Sequence, residues 1–364
     1  MPHDEVVLEP GRGAGDPFSA RFRVGRPSLR RFGRGRLTLI VGAAIGLPCL
    51  HALDPTPPGL PMHRVRGHGG AMIRGFALSP DGKMVAMADH LGSVTLRSAA
   101  CGWEVERSFK VRGKPVAFSP DGHHLAIGGT EFDVAWCDIR DGLPARTLGI
   151  PVQAVSDLRF SPDGRALAVS SHNSCEIILW DVDDGRLRTR LRGHRFPVIR
   201  MAIAPDGLTL ASASGSPEER AILVWSFATG RPERRLAEGN SGFLCIAYSP
   251  DSALLASSCA NEKPVRIWNV RTQREVQRIA GHAYPTQAVA FSPDGRLIAT
   301  AAGDGFASVW SVTTGRELRR LDSQTDLLHH VAFSRDGRIL AATGSDGDIR
   351  FWHLDERIAD ESGS

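Results

Sequence analysis

The sequence predicts an all-β protein built from seven similar units, and three observations support this fold class. A tetrapeptide, Ser-Pro-Asp-Gly or a close variant, begins at Ser79, Ser119, Ser161, Ala204, Ser249, Ser292 and Ser334. Successive copies are 40, 42, 43, 45, 43 and 42 residues apart. The segments between them alternate short apolar runs with turn-forming residues. A strand-and-turn repeat of this length predicts an array in which neighbouring units bury each other's apolar faces.

The copy at residues 289–321 shows the elements of one unit. Short apolar or alternating runs, each bounded by turn residues, occupy residues 289–292, 297–300, 307–312 and 317–321. Between the first two runs lies Pro293-Asp294-Gly295, in which proline presets φ, aspartate bonds its own backbone and glycine accepts positive φ. No helical periodicity intervenes, so each unit is predicted to be four antiparallel strands joined by tight turns.

A tryptophan recurs in the third predicted strand. It is present at Trp136, Trp180, Trp225, Trp268, Trp310 and Trp352, whereas the first unit has Leu96. The chain contains seven Trp, so this one position uses all of them except Trp103. The large apolar surface of tryptophan suits the contact between neighbouring sheets. We therefore interpret these residues as core rather than as ligand-stacking groups.

The two ends of the repeat region predict how the array closes into a ring. No strand pattern follows Trp352, so the seventh sheet lacks a fourth strand. Residues 61–67 precede the first unit and align with fourth strands such as residues 187–193. We therefore predict a seven-bladed β-propeller of four-stranded antiparallel blades, the last blade closed by the N-terminal strand.

Over about residues 61–356 the sequence resembles the WD40-repeat family. Its Gly-His and Trp-Asp pairs are matched by Gly67-His68, Gly193-His194, Gly281-His282 and Trp180-Asp181. The resemblance implies a propeller that acts as an interaction platform. It also implies a buried network in the sixth unit formed by His282, Thr300, Asp304 and Trp310. Since buried polar groups need partners, we expect this set to be structural rather than catalytic. The other units lack members of the set.

The repeat region leaves two terminal regions to explain. We predict a basic disordered tail at residues 1–36, an apolar signal or anchor segment at 37–53 and a Pro-rich linker at 54–60. The propeller occupies 61–356, and an acidic disordered tail follows at 357–364. A basic stretch that leads into an apolar run is typical of a secretory signal. This pattern predicts export or membrane anchoring through residues 21–53; the alternative is a cytoplasmic protein.

The charge distribution argues against nucleic-acid binding. The net charge is +4, but eight of the 44 Lys and Arg and four of the 40 Asp and Glu lie in residues 1–36. The rest of the chain is therefore formally neutral. A nucleic-acid-binding domain usually carries a basic surplus on its folded part. We predict no nucleic-acid partner, and membrane contact only through the N-terminal segment.

The sequence contains no recognisable catalytic, phosphate-binding or metal-binding motif. We predict a non-enzymatic protein with no catalytic residues, no metal and no cofactor. His329 and His330 are adjacent on one strand, so they point to opposite faces and do not chelate one metal together. The six cysteines show no metal-binding spacing. Cys245 and Cys259 fall on neighbouring strands, where a disulfide is possible but two buried thiols are the preferred interpretation.

Geometry supplies the candidate site, because every innermost strand begins at the same end of the central channel. Counting back from each Ser-Pro-Asp-Gly turn predicts a partner-binding rim at Met72, Arg74, Arg112, Lys114, Ser156, Ile199, Leu244, Gln287, Leu327 and His329. The basic members in the first two blades suit an acidic protein or peptide. We predict a monomeric interaction scaffold; the alternative is a ligand-sensing or catalytic propeller that uses the central channel.

Overall fold

The computed structural model describes residues 5–7, 61, 63–67, 71–99, 103, 105–111, 113–130, 134–139, 146–236 and 241–354. These residues form seven sheets, the blades, each with four antiparallel strands, and the innermost strands of the blades contact one another in sequence around a ring. The last innermost strand contacts the first, so the ring is closed. The predicted seven-bladed β-propeller is confirmed.

The strands are numbered β1–β29 along the chain. The innermost strands of blades 1 to 7 are β3 (Ile73–Leu78), β7 (Gly113–Phe118), β11 (Val155–Phe160), β15 (Val198–Ile203), β19 (Phe243–Tyr248), β23 (Thr286–Phe291) and β27 (Leu328–Phe333). The second strands are β4 (Met84–Asp89), β8 (His124–Gly129), β12 (Ala166–Ser171), β16 (Thr209–Ser214), β20 (Leu254–Cys259), β24 (Leu297–Ala302) and β28 (Ile339–Gly344).

The outer half of each blade is built from the remaining strands. The third strands are β5 (Ser93–Ser98), β9 (Val134–Asp138), β13 (Ser174–Asp181), β17 (Ile222–Ser226), β21 (Val265–Asn269), β25 (Phe306–Ser311) and β29 (Ile349–His353). The fourth strands of blades 1 to 6 are β6 (Val105–Lys110), β10 (Arg146–Thr147), β14 (Arg186–Arg192), β18 (Pro232–Leu236), β22 (Arg274–Ile279) and β26 (Glu317–Asp322).

The Ser-Pro-Asp-Gly turn joins the first two strands of a blade through its own side chains. In blade 6, Ser292 Oγ donates to Asp294 Oδ1 at 2.5 Å and accepts the amide of Leu297 at 2.9 Å. Gly295 has φ of 73°, a conformation that glycine adopts without the steric cost of a Cβ. The repeated tetrapeptide is therefore a hairpin that sets the register of the two innermost strands.

The third-strand tryptophans pack between blades, as predicted. Trp310 lies in one apolar cluster with Ile267 of blade 5 and Val289 of its own blade. Trp352 lies in another with Val309 and Leu321 of blade 6. Each such contact buries apolar surface from two blades at once, so every blade depends on its neighbours for stability.

The N-terminal strand closes the seventh blade. Strand β2 (His63–Val65) pairs antiparallel with β29, with Arg64 opposite Arg350. Arg64 Nε lies 2.6 Å from Asp348 Oδ2, and the amide of Gly67 donates to Asp348 Oδ1 at 2.9 Å. A backbone ladder and a salt bridge thus join the two ends of the ring.

One strand was not predicted. Strand β1 (Glu5–Val7) pairs in parallel with β6, so the sheet of blade 1 has five strands. It lies within the range predicted to be a basic tail. The rest of that tail, the apolar segment at 37–53, the linker up to residue 60 and the acidic tail at 357–364 lie outside the described residues, so these assignments stay predictions.

Candidate functional site

A β-bulge marks the start of every innermost strand. In blades 1 and 3 to 7, the residue at position two of the innermost strand has no partner in the ladder to the neighbouring strand of its blade. In blade 2, both Lys114 and Pro115 lack such a partner. The omitted second residues are Arg74, Lys114, Ser156, Ile199, Leu244, Gln287 and His329. A bulge leaves its extra residue unpaired and changes the direction of the side chain. Seven of the ten predicted rim residues therefore coincide with a common backbone feature, whereas Met72, Arg112 and Leu327 precede their strands.

The rim has a basic sector in neighbouring blades. Arg74 and Lys114 are exposed on blades 1 and 2, and half-buried His329 lies on blade 7. Burial lowers the pKa of His329, and the charge of Arg74 lowers it further. Burial also lowers the pKa of His172, which follows β12, with contributions from Lys114 and Arg200. Near neutral pH the positive charge of this sector therefore resides on Arg74 and Lys114 rather than on the imidazoles.

The rim also has an apolar sector. Ile199 and Leu244 are half-buried on the adjacent blades 4 and 5. Ile199 packs so closely on Gly215 that a Cβ there would lie 2.5 Å from Ile199 Cδ1. Of the other predicted rim residues, Met72, Ser156, Gln287 and Leu327 are half-buried. Arg112 lies outside the described residues.

Sequence reasoning missed the charged residues deeper in the channel. We define the channel wall as the third and fifth residues of the innermost strands. The third residues are Gly75, Pro115, Asp157, Arg200, Cys245, Ala288 and His330. The fifth residues are Ala77, Ala117, Arg159, Ala202, Ala247, Ala290 and Ala332. The same count from the turn passes over these residues before it reaches the rim, so it could have located them.

Side chains of the channel wall bind the backbone of the next blade. Arg159 Nε donates to the carbonyl of Met201 at 3.2 Å, and Arg200 Nε donates to that of Leu244. The amide of Val289 donates to Cys245 Sγ at 3.3 Å. These bonds cross from blade 3 to 4, from 4 to 5 and from 5 to 6. They connect neighbouring blades at the channel, where no sheet ladder runs between them.

The network implied for blade 6 is present. His282 Nδ1 lies 3.0 Å from Asp304 Oδ2, and its Nε2 lies 2.7 Å from Thr300 Oγ1. Trp310 Nε1 donates to the same hydroxyl at 2.8 Å. Burial opposes ionisation of Asp304, but His282 and two backbone amides hold the pKa of this carboxyl below its usual value. Since the donors and acceptors satisfy one another, the geometry is that of a structural network.

Blade 4 contains a related but incomplete arrangement, because His194 Nδ1 is buried without a hydrogen bond among the described residues. In blade 4, His194 Nε2 and Trp225 Nε1 both contact Ser212 Oγ at 2.7 Å. Glu219, from the loop at residues 215–220, takes the place of the aspartate, with Oε1 3.0 Å from His194 Nδ1. Burial lowers the pKa of His194 although Glu219 opposes this shift. This loop therefore contributes a structural carboxylate to blade 4.

The cysteines that the structure describes are free thiols, as preferred from the sequence. Cys245 pairs with Ser258 across the hairpin, whereas Cys259 pairs with Phe243, so the two thiols are not opposite each other. Burial raises the pKa of Cys137 to about 12 and that of Cys259 to about 11. Among the described residues, no group of three or more His, Cys, Asp and Glu is arranged to hold a metal ion.

Comparison with known proteins decides the family. The model of the first β-propeller of IFT122 matches residues 154–362, more than half of the chain. This chain belongs to the WD-repeat β-propeller family. The match begins just before β11 and includes blades 3 to 7, which contain the network of blade 6 and the related arrangement of blade 4.

Individual relatives resemble shorter parts of the chain. An uncharacterized WD repeat-containing protein of Synechocystis is 30% identical over 135 residues, covering 37% of this chain and 38% of the relative. A periodic tryptophan protein 2 homolog of Dictyostelium discoideum is 29% identical over 188 residues, covering 50% and 20%. An intraflagellar transport protein 122 homolog of Xenopus tropicalis is 32% identical over 111 residues, covering 30% and 9%. The chain thus spans less than half the length of these relatives.

Within the residues that the structure describes, no helix has the length and apolar character needed to span a bilayer. Residues 21–53, from which export or anchoring was predicted, lie outside this part, so that prediction remains one.

Proposed function

We propose that this protein is a non-enzymatic interaction scaffold whose rim binds an acidic, partly apolar segment of another protein. The observation that carries the proposal is the pairing of exposed Arg74 and Lys114 on neighbouring blades, both at bulged positions. Acidic side chains of the partner would be attracted to these two residues. This attraction would fix the position of the bound segment along the rim.

The composition of the innermost strands supports an acidic partner. Asp157 is the only acidic residue among the seven innermost strands, which also carry Arg74, Lys114, Arg159 and Arg200. Its side chain is buried, lies 3.0 Å from Arg159 Nη1 and accepts the amide of Met201 at 2.8 Å. Asp157 therefore engages residues of blades 3 and 4, and the rim cations keep their attraction for a partner.

The apolar sector supports a partner with apolar side chains as well. Ile199 and Leu244 adjoin one another on the rim, and each is half-buried before any partner binds. Covering them would add apolar burial to the electrostatic attraction. Because the blades are held by buried networks and interblade bonds, binding costs little ordering of the scaffold.

The names of the relatives agree with a scaffold. They refer to WD repeats, to periodic tryptophan or to intraflagellar transport, and none of those cited above names a catalysed reaction. We extend only the general role of a binding platform to this chain.

The test uses a synthetic peptide of alternating Glu and Leu, with its Lys-Leu counterpart as the ligand control. We expect the wild-type protein to bind the Glu-Leu peptide more tightly, as measured by fluorescence anisotropy. The variant with Arg74→Glu and Lys114→Glu should lose roughly tenfold or more in affinity, as expected when charge pairs become repulsive.

The matched control reverses Arg296 and Arg335 to Glu. Both are exposed in turns that follow innermost strands, so they lie at the opposite end of the channel and the net charge changes equally. This control should bind like the wild type. Equal binding by both double variants, or no preference for the Glu-Leu peptide, would refute the proposed rim.

A further inference from the structure

Below the rim, the wall of the channel carries a second concentration of positive charge. Arg159 and Arg200 lie on the neighbouring blades 3 and 4, as the fifth and third residues of β11 and β15. The side chain of Arg159 is 42% exposed, and Arg200 is half-buried. Both side chains therefore keep contact with solvent at the innermost strands.

The backbone holds both guanidinium groups in fixed positions without using all their donors. Arg159 donates from Nε to Met201 and from Nη1 to the carbonyl of Leu158 at 3.0 Å. Arg200 donates from Nε to Leu244 and from Nη1 to the carbonyl of Ile199 at 2.8 Å. Within the part of the chain that the structure describes, Nη2 of each arginine makes no hydrogen bond. A guanidinium has five N–H donors, so each arginine retains donors for a ligand.

The other wall residues at the two positions that Arg159 and Arg200 occupy are mostly smaller. Every other blade has alanine at the position that Arg159 occupies in blade 3. Blade 1 has Gly75 at the position of Arg200, where a Cβ would lie 1.7 Å from the carbonyl oxygen of Lys114. Arg159 is therefore the one large side chain at the fifth position of the innermost strands, whereas the third position of blade 1 is closely packed against blade 2.

The positive charge extends across the channel. Burial lowers the pKa of His330, on blade 7, to about 3, and the charges of both Arg200 and Arg159 lower it further. Blade 7 lies across the ring from blades 3 and 4, so the field of the two arginines spans the enclosed space. His330 is neutral near pH 7 and does not add to this charge.

We infer that the channel wall binds a small oxyanion, a phosphate or carboxylate group, between Arg159 and Arg200. The planar fork of guanidinium matches the spacing of oxygens in both groups, and charge-assisted bonds of this kind are the strong ones. A ligand at this position is distinct from a segment on the rim, because it is held by the third and fifth residues of the strands rather than by the second.

The experiment titrates the full chain with sodium phosphate and, separately, with sodium acetate, and measures the melting temperature. Sodium chloride at the same ionic strength is the control for general screening. We expect an oxyanion to raise the melting temperature above the chloride value, since a ligand that binds only the native state stabilises it. A response to phosphate alone identifies a tetrahedral anion, and an equal response to acetate identifies carboxylate; both support the site.

Variants test whether the stabilisation by phosphate arises from binding at the channel wall. Arg159→Gln and Arg200→Gln should each weaken phosphate binding roughly tenfold, the loss expected for one charge-assisted bond. Asp157→Asn keeps the acceptor for Met201 but removes the only carboxylate of the wall, so it should tighten phosphate binding by a few-fold. A misfolded variant would not gain affinity, so this change protects the test from unfolding artefacts.

The rim variant separates this site from the proposed function. Arg74→Glu with Lys114→Glu should lose the Glu-Leu peptide while responding to phosphate more strongly than the Arg200→Gln variant does. If phosphate stabilises the wild type no more than chloride, or if Arg159→Gln and Arg200→Gln bind phosphate like the wild type, the inference is wrong. Either result would leave the rim to be judged by the peptide alone.

Discussion

Blades 6 and 7 carry an aspartate at the same position of the repeat and use it differently. In blade 6, Asp304 accepts from His282 and from the amide of Ala283, which precede the blade in the chain. In blade 7, Asp346 binds Arg350 of β29 and lies 3.0 Å from Arg64 of the closing strand. The same carboxylate thus stabilises one blade internally and the other at the junction of the two chain ends.

Their tryptophans differ in the same way. Trp310 Nε1 donates to Thr300, which lies two residues beyond its ladder partner Ile298. In blade 7 the corresponding residue is Ala342, two beyond Leu340, the partner of Trp352. Among the described residues, Trp352 Nε1 is buried without a hydrogen-bond acceptor. Blade 7 therefore leaves a buried hydrogen-bond donor unpaired in its interior. Its charged residues bond instead at the seam, the junction of β2 and β29.

The difference shows what each blade requires. Blade 6 is one continuous segment, so its polar residues can bind one another. Blade 7 is assembled from residues far apart in sequence, so its charged residues join β2 to β29. Variants of the two blades can therefore test whether the seam or the internal network contributes more to stability.

The largest effect is expected from Asp346→Ala. The side chain of Arg350 is fully buried, and the change leaves its charge without a carboxylate, which costs about 3–5 kcal/mol. Chemical denaturation measures the loss in the free energy of unfolding. Asp183→Ala is the control, because Asp183 lies 4.0 Å from Arg165 and both are exposed. Similar small losses in both variants would show that the seam is not the stronger region.

Thr300→Val should have the next largest effect. It keeps the shape of the side chain but leaves Trp310 Nε1 without its acceptor and His282 Nε2 without its hydrogen-bond partner, at a cost of roughly 2 kcal/mol. Thr343→Val is a matched control in blade 7, because Thr343 Oγ1 is buried and has no partner among the described residues. Urea titration should show a clear loss for the first variant and little change for the second. Equal losses would mean that the hydroxyl of Thr300 contributes only through packing.

Ala342→Ser should have the smallest effect and the opposite sign. It places a hydroxyl where blade 6 has that of Thr300, so Trp352 Nε1 gains an acceptor. The expected gain is about 1 kcal/mol, the net value of a typical hydrogen bond. Thermal unfolding would show a higher melting temperature, and nuclear magnetic resonance would show a shifted indole N–H signal of Trp352. A lower melting temperature would indicate that the buried site has no room for the oxygen.

The candidate site was partly predictable. Counting from the turn placed the seven second residues of the innermost strands correctly, because each repeat has the same register. It did not suggest that Arg159 and Arg200 face the same space, since their relation depends on how blades 3 and 4 pack around the axis. Nor did it identify Glu219, because the longer loop moves this carboxylate away from the position that the motif specifies.

The amino-acid sequence by itself determined the number of blades, the four antiparallel strands in each and the strand that closes the ring. These features depend on local turn chemistry and on apolar periodicity, which every copy repeats. Only the tertiary structure decided which polar side chains meet. Arg64 with Asp346, His194 with Glu219, and Arg159 with the backbone of Met201 are contacts between separate segments. Their partners are selected by the packing of blades and by bulges in the register, which no single repeat encodes.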